Sequence, residues 1–297
     1  TLPEPYASLA GGIVIGGKSG LGNELKEAFT RSGLIHIIVL SGYNMMIVAE
    51  WVIAALSLTN LKRRWGAVAG ALALLVFVGI AGATATSIRA AVMALIALYA
   101  RATGRTYAAG RALLFVTILM LIWNPLYLVF DPGFGLSVTA TAGLIWLAPR
   151  IELFLAFLKN VFWRDVVATT LAAQIAVFPL LFYNTGNLSL VAIPANILVA
   201  PLIPLAMSLS ALAGFAGMLF NAILPLFGIM LAFPAYLATA SLIFVARESA
   251  TLPFAAVTLP LFPFWLVLIA YAALIYYASS KRFSTTPQLR FEKKASI

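Results

Sequence analysis

Residues 65–100 read WGAVAGALALLVFVGIAGATATSIRAAVMALIALYA. Two apolar runs follow one another here, each close to the roughly 20 residues an α-helix needs to cross a bilayer. One short polar turn at Thr84, Thr86 and Ser87 separates them, and Arg89 is the only charge in the whole stretch. Helices that are apolar all round must be covered on every side, by protein or by lipid. The rest of the 297-residue chain repeats the pattern: 63% of it is hydrophobic and 9% is charged. Its mean hydropathy is +1.04. A soluble domain carries about a quarter charged residues, so the bilayer has to serve as much of this chain's solvent.

Working outward from that pair, apolar runs mark about nine spans. They cover Leu34–Leu58, Trp65–Ala81, Thr84–Ala100, Ala112–Phe130, Leu136–Leu158 with a bend at Pro149, Val166–Tyr183, Ala195–Leu219, Ala222–Ala246 and Pro253–Ser279. The last three are rich in proline, including Pro201, Pro204, Pro234 and Pro260. Proline removes a backbone donor and kinks a helix, so broken or re-entrant segments are expected there. The fold class is therefore all-α, a polytopic integral membrane bundle. Residues 1–33 form an amphipathic interfacial lead-in, 34–279 the transmembrane core, and 280–297 a basic tail.

The charges orient it. Lys62, Arg63 and Arg64 follow the first span, Arg101, Arg105 and Arg111 the third, Arg150, Lys159 and Arg164 the fifth, and Lys281, Arg282, Arg290, Lys293 and Lys294 the ninth. The links after spans two, four and six carry no lysine or arginine. Basic clusters on alternate links obey the positive-inside rule, with the C-terminus cytoplasmic and the N-terminus outside. The net charge of +10 suits contact with anionic lipids first, and a polyanionic cargo second. The chain opens on Thr1, which suggests a trimmed or partial sequence, and its start lacks the pattern of a signal peptide. Within the lead-in, Leu21, Leu25 and Phe29 are spaced four apart, one apolar stripe on a helix along the interface or against the bundle.

Several features could carry chemistry. Gly12 to Ser19 read GIVIGGKS, which fits the phosphate-binding G-x-x-x-x-G-K-S pattern. That motif needs a strand before it and a helix after it, and no alternating βα pattern follows. There is no cysteine, and His36 is the single histidine, so no His/Cys metal site can form and no cofactor is expected. His36 opens the first span as a backbone-bonded or a pore-facing group. Ser41, Gly42 and Asn44 interrupt that span, either for close helix contact or as a kink lining a polar cavity. Arg89 lies inside the third span. An intramembrane arginine marks a functional site or a structural pair, and Glu50 and Asp131 are the carboxylates that could pair with it. Asp131 opens DPGFGLSVTATAGL as a turn and cap. Gln174, Asn184, Asn187 and Asn196 add uncharged polarity, Asn196 just before a proline-broken helix.

Five stretches in order bear a family likeness: GLIHIIVLSGYNM (33–45), SIRAAVM (87–93), RATGR (101–105), DPGFGLSVTATAGL (131–144), and Asn196 with Pro201 and Pro204. Their order and spacing resemble the membrane core of the ComEC competence family, and the lead-in resembles that family's own. The resemblance covers nearly the whole chain. It implies an inner-membrane channel that admits transforming DNA as a single strand, in partnership with separate DNA-uptake, nuclease or helicase proteins. It puts His36, Ser41, Gly42, Asn44, Arg89, Asp131, Gln174 and Asn196 forward for the DNA path. Two departures stand out. The family commonly carries histidine where Asn44 stands. Larger members add an oligonucleotide-binding domain and a metallo-β-lactamase-like nuclease domain, so a core-only member or an excerpt is expected here, and not an enzyme. An oligomer is compatible with the sequence. The competing readings are a secondary transporter for a small anionic solute, built on the broken helices, and a membrane-embedded hydrolase using His36 with Asp131 or Glu50.

Overall fold

A computed structural model describes residues 2–16, 20–38, 42–57, 63–220, 225–253, 255–258 and 263–279. Those residues are mostly helical. The helices are α1 (Tyr6–Ile15), α2 (Asn23–Arg31), α3 (Ile35–Ile38), α4 (Gly42–Ser57), α5 (Arg63–Ile80), α6 (Ala85–Thr103), α7 (Ala109–Trp123), α8 (Tyr127–Phe130), α9 (Pro132–Trp146), α10 (Ala148–Phe154), α11 (Val161–Thr185), α12 (Ala192–Val199), α13 (Leu202–Phe220), α14 (Pro225–Thr251) and α15 (Phe264–Ser279). Two-residue extended stretches occur at Asn187–Leu188 and Val257–Thr258. The chain forms two compact units, Thr1–Arg105 with Ser189–Val257, and Thr106–Leu188 with Thr258–Ile297.

In the first unit, α5 and α6 are the two runs quoted at the outset, and the polar turn between them is built from local hydrogen bonds. Gly82 (φ +86°) turns α5 off in the left-handed region. The Ala83 N–H then reaches back to the Val78 carbonyl at 3.0 Å, the closure typical of a glycine-ended helix. Thr84 restarts the chain as N-cap of α6, its hydroxyl accepting from the Ser87 N–H at 3.3 Å. The lead-in belongs to this unit's core. Leu9, Ile13, Leu25 and Phe29 are buried in one cluster with Ile47, Val48, Val199, Met207 and Leu242. The Glu24–Arg247 pair at 3.4 Å joins α2 to α14, but it is exposed and adds little.

The second unit is organised around α9 and α11. Asp131 caps α9, its Oδ1 accepting from the Phe134 N–H at 3.1 Å, with Pro132 in the first turn. The helix thus begins at the DPG sequence, where the sequence suggested a turn followed by a span from Leu136. Glycine brings α9 close to its partner. A Cβ on Gly143 would stand 2.6 Å from the Ala172 carbonyl oxygen and 2.6 Å from the Ala176 Cβ. Small residues are what permit such approach inside a bilayer, where no hydrophobic force pulls helices together.

Elsewhere the surface is apolar. Ile122, Trp123, Leu128, Val129 and Phe130 are exposed, Trp123 at 87%, more than a water-facing surface tolerates. By length and composition, α6 and α11 can each cross a membrane alone. The bent pairs α9–α10 (46°) and α12 with Leu202–Met218 (50°) raise the number to four. Three boundaries differ from expectation. The fourth helix stops at Trp123 rather than Phe130, because Pro125 follows and the Asn124 side chain accepts from the Leu126 N–H at 3.0 Å. The fifth bends at Leu147, with Pro149 in the first turn of α10. The ninth helix starts at Phe264, next to Pro263, not at Pro253.

Candidate functional site

Of the residues put forward for a polar path, the first unit holds His36, Ser41, Gly42, Asn44, Arg89 and Asn196, and the second holds Asp131 and Gln174. Ser41 lies outside the described residues, as do the side chain of Glu50 and the tail from 280.

Gly42 opens α4, and two residues on Asn44 is fully buried. Its Nδ2 donates to the Ile13 carbonyl at 3.0 Å. That oxygen sits in the last turn of α1, where a helix has no internal donor left for it. Asn44 therefore ties the lead-in to the helix that the sequence read as interrupted. Asn44→Leu keeps the volume and removes the donor. A buried carbonyl left without its partner costs about 1–3 kcal/mol, so a lower unfolding midpoint in detergent micelles is expected for this variant. The same contact bears on the GIVIGGKS stretch. Gly12 to Ile15 end a helix, whereas a phosphate-binding loop would need a strand there; residues 17–19 lie outside the described set.

Arg89 is 4% exposed, and its Nη1 lies 3.3 Å from the Met93 sulfur one turn on. Met45, the neighbour of Asn44, packs against Ala90 and Ala91, one and two residues on from Arg89. So α4 and α6 meet at this level, and the buried amide and the buried guanidinium flank the same contact. The hydroxyls above it bond to one another: Thr84 Oγ1 is 2.9 Å from Thr86 Oγ1 and 2.9 Å from Ser87 Oγ. Asn196 is buried too, but its Nδ2 donates to the Ala192 carbonyl of its own helix at 2.7 Å. His36 is exposed, with Nδ1 3.2 Å from the Gly33 carbonyl oxygen. Gly33 has φ +73°, and a Cβ there would stand 2.5 Å from the Ala192 Cβ, so only glycine lets this turn meet α12. In the second unit Asp131 is a helix cap and Gln174 is half-buried in α11.

Two residues stand out that the sequence reading did not single out as structural. Arg150, counted among the basic link residues, donates through Nη1 to the Trp146 carbonyl and through Nη2 to the Ala278 carbonyl. It closes the C-terminal turns of α9 and α15 together. A basic residue just past an apolar run is a known signal for that role. The Tyr271 hydroxyl of α15 donates to the Ala176 carbonyl at 3.1 Å, three residues before Pro179 within α11. Nothing in the periodicity of α15 marks that tyrosine.

Among the described residues the set comprises amides, hydroxyls, the Arg89 guanidinium, the His36 imidazole and the Asp131 carboxylate. Among the described residues no three His, Asp or Glu side chains gather as a metal site. The profile of the competence protein family matches residues 13–283. The chain belongs to that family. In Bacillus subtilis (strain 168), ComE operon protein 3 is 23% identical over 213 residues. The alignment takes in 72% of this chain and 27% of that relative, so the competence-family chain spans little more than a quarter of the relative's length. No solved structure matches it. The family match takes in each of the eight residues above.

Proposed function

We propose that this competence-family chain is the membrane core of a channel that admits a single strand of DNA across the bacterial inner membrane. The family match over residues 13–283 carries that reading. The buried Arg89, inside one of the two helices able to cross unaided, is its physical counterpart. In this reading the Arg89 guanidinium attracts each passing phosphodiester, and a single charge holds none of them tightly, as conduction requires. Arg89, Asn44, Ser41, Gly42, His36 and Asn196 are then the polar candidates of the first unit, and Gln174 and Asp131 those of the second. The chain itself does no chemistry, and strand degradation falls to separate nuclease or helicase partners. Exposed basic link residues meet anionic lipids and then the emerging strand.

The nine-span topology, with the N-terminus outside and the C-terminus cytoplasmic, is part of the proposal. Contacts within each unit support it. Arg150, beyond the bend of span five, bonds the carbonyl of Ala278 at the end of span nine. Both ends are cytoplasmic in the alternating scheme. Ser189, between spans six and seven, donates to the Arg31 carbonyl ahead of span one at 2.8 Å, and Arg247 at the end of span eight meets Glu24. Those three segments, the lead-in and the links after spans six and eight, are all external in the same scheme. A transporter for a small anion would share this topology, but no observation favours it over the family reading.

Expression in a transformable bacterium that lacks its own channel protein tests the function. Labelled single strand is expected to reach the cytoplasm again. Normal insertion of the chain with no strand entering counts against the reading.

A further inference from the structure

The stretch from α10 to the first turn of α11 carries Arg150, Lys159 and Arg164, which in a sequence looks like a hydrophilic loop. Its structure is different. Beyond the 46° bend at Leu147, α10 cannot continue along the line of α9. Charges within the stretch are turned inward. Arg150 is bonded to the Trp146 and Ala278 carbonyls. Arg164 pairs with Glu152 at 3.4 Å, both side chains only 17% exposed, which clamps α10 to the first turn of α11. Asn160 caps α11 by accepting from the Phe162 and Trp163 N–H groups at 3.0 and 3.3 Å. That cap fixes the two rings edge to face, with centroids 5.4 Å apart.

What remains on the outside is mostly apolar, with Lys159 and Asn160 the exposed polar residues of 147–163. Leu153, Phe154, Phe157, Val161, Phe162 and Trp163 are all exposed, Phe157 at 74%. Lys159 is the exposed cation among them. Two aromatic residues at helix ends, Trp146 closing α9 and Trp163 opening α11, border the patch. Rigid presentation, an aromatic border and a single long cationic side chain are the features of a segment seated in the headgroup region, where rings settle and lysine stems reach back to water.

We propose that residues 147–163 form an in-plane anchor inserted into one leaflet, its occupant being the headgroup–acyl boundary of the bilayer itself. Leu153, Phe154, Phe157 and Phe162 enter the acyl edge, and Lys159 stays at the phosphate level. The anchor sets the depth of α9 and α11, because the Arg164–Glu152 clamp and the Asn160 cap couple the wedge to both helices. It rests on the membrane placement of the chain, leaves α9 (Pro132–Trp146) alone to make the fifth crossing, and is independent of what the channel carries.

The absence of cysteine gives a clean background for the test. Phe157→Cys and Phe162→Cys, each introduced alone into the full chain, are spin-labelled and reconstituted in vesicles of phosphatidylethanolamine and phosphatidylglycerol. Collision rates with oxygen and with a water-soluble nickel chelate then report depth, calibrated on spin-labelled lipids. Oxygen is expected to dominate at both positions, at a depth of about 5–10 Å, the range of an interfacial apolar face. Domination by the nickel chelate would overturn the proposal, because the patch would face water. Protection from both reagents would overturn it too, because protein, whether a second copy or another chain, would be covering the patch.

Discussion

Gly143→Leu is expected to abolish the folded state of the second unit, read as loss of the cooperative unfolding transition of the purified protein in detergent. The new Cβ alone would sit 2.6 Å from the Ala172 carbonyl oxygen and 2.6 Å from the Ala176 Cβ. One of those neighbours is helix backbone and the other is a side chain with no rotamer to change, so α9 and α11 must move apart. They cannot do so freely, because Tyr271 and Arg150 tie α15 to the same pair. Overpacking costs about 1–3 kcal/mol for a small excess, which is the range expected of Gly143→Ala, and leucine adds three further carbons. Gly135 is the internal comparison. Its Cβ would meet only the Leu180 Cδ2, at 2.8 Å, a flexible end that can swing away, so Gly135→Ala is expected to cost less. Gly79, in α5, has open space at that point, and Gly79→Ala should be neutral or slightly stabilising through helix propensity.

Arg89→Gln is expected to lower DNA entry by at least about tenfold, the effect of losing roughly 1.4 kcal/mol at one step, while the protein still inserts. Arg89 is 4% exposed within a helix long and apolar enough to cross a membrane, and such a charge is retained at a cost of several kcal/mol unless it serves a purpose. Glutamine keeps a donor and most of the length but removes the charge that attracts a phosphate. Arg89→Lys separates charge from geometry: partial uptake is expected, since lysine supplies the charge without the planar fork. A variant whose uptake is unchanged would place Arg89 in the scaffold. Were the residue only one half of a buried ion pair, its removal would be read as unfolding, because the abandoned partner costs about 3–5 kcal/mol.

Hydropathy found what depends on composition alone. The α5, α6 and α11 boundaries fall within a few residues of the expected spans, because each is a long run closed by glycine or capped by a threonine or asparagine. It failed where apolar residues continue beyond a helix. Leu126 to Phe130 extend the fourth run without extending its helix, since Asn124 and Pro125 break it. Residues 255–258, which form bends and a short extended stretch, prolong the ninth run in the same way. The candidate site was legible as a set of unusual residues and not as a set of partners. Asp131 was recognisable as a cap from the DPG sequence. That Asn44 bonds the lead-in at Ile13, or that Asn196 spends its amide on its own helix, depends on contacts between segments that no local pattern encodes. Gly143 escaped notice for a related reason: the importance of a glycine in an apolar helix appears only with the partner helix in place.

The central claim, that this chain opens a path for a DNA strand, is tested most directly with the purified chain in liposomes. A fluorescent single-stranded oligonucleotide is added outside under an applied membrane potential, and external nuclease then destroys whatever has not entered. A nuclease-protected fraction is expected that grows with time, is absent from protein-free liposomes, and falls at least about tenfold for Arg89→Gln. Complete destruction of the oligonucleotide in liposomes shown to contain the folded protein would contradict the claim.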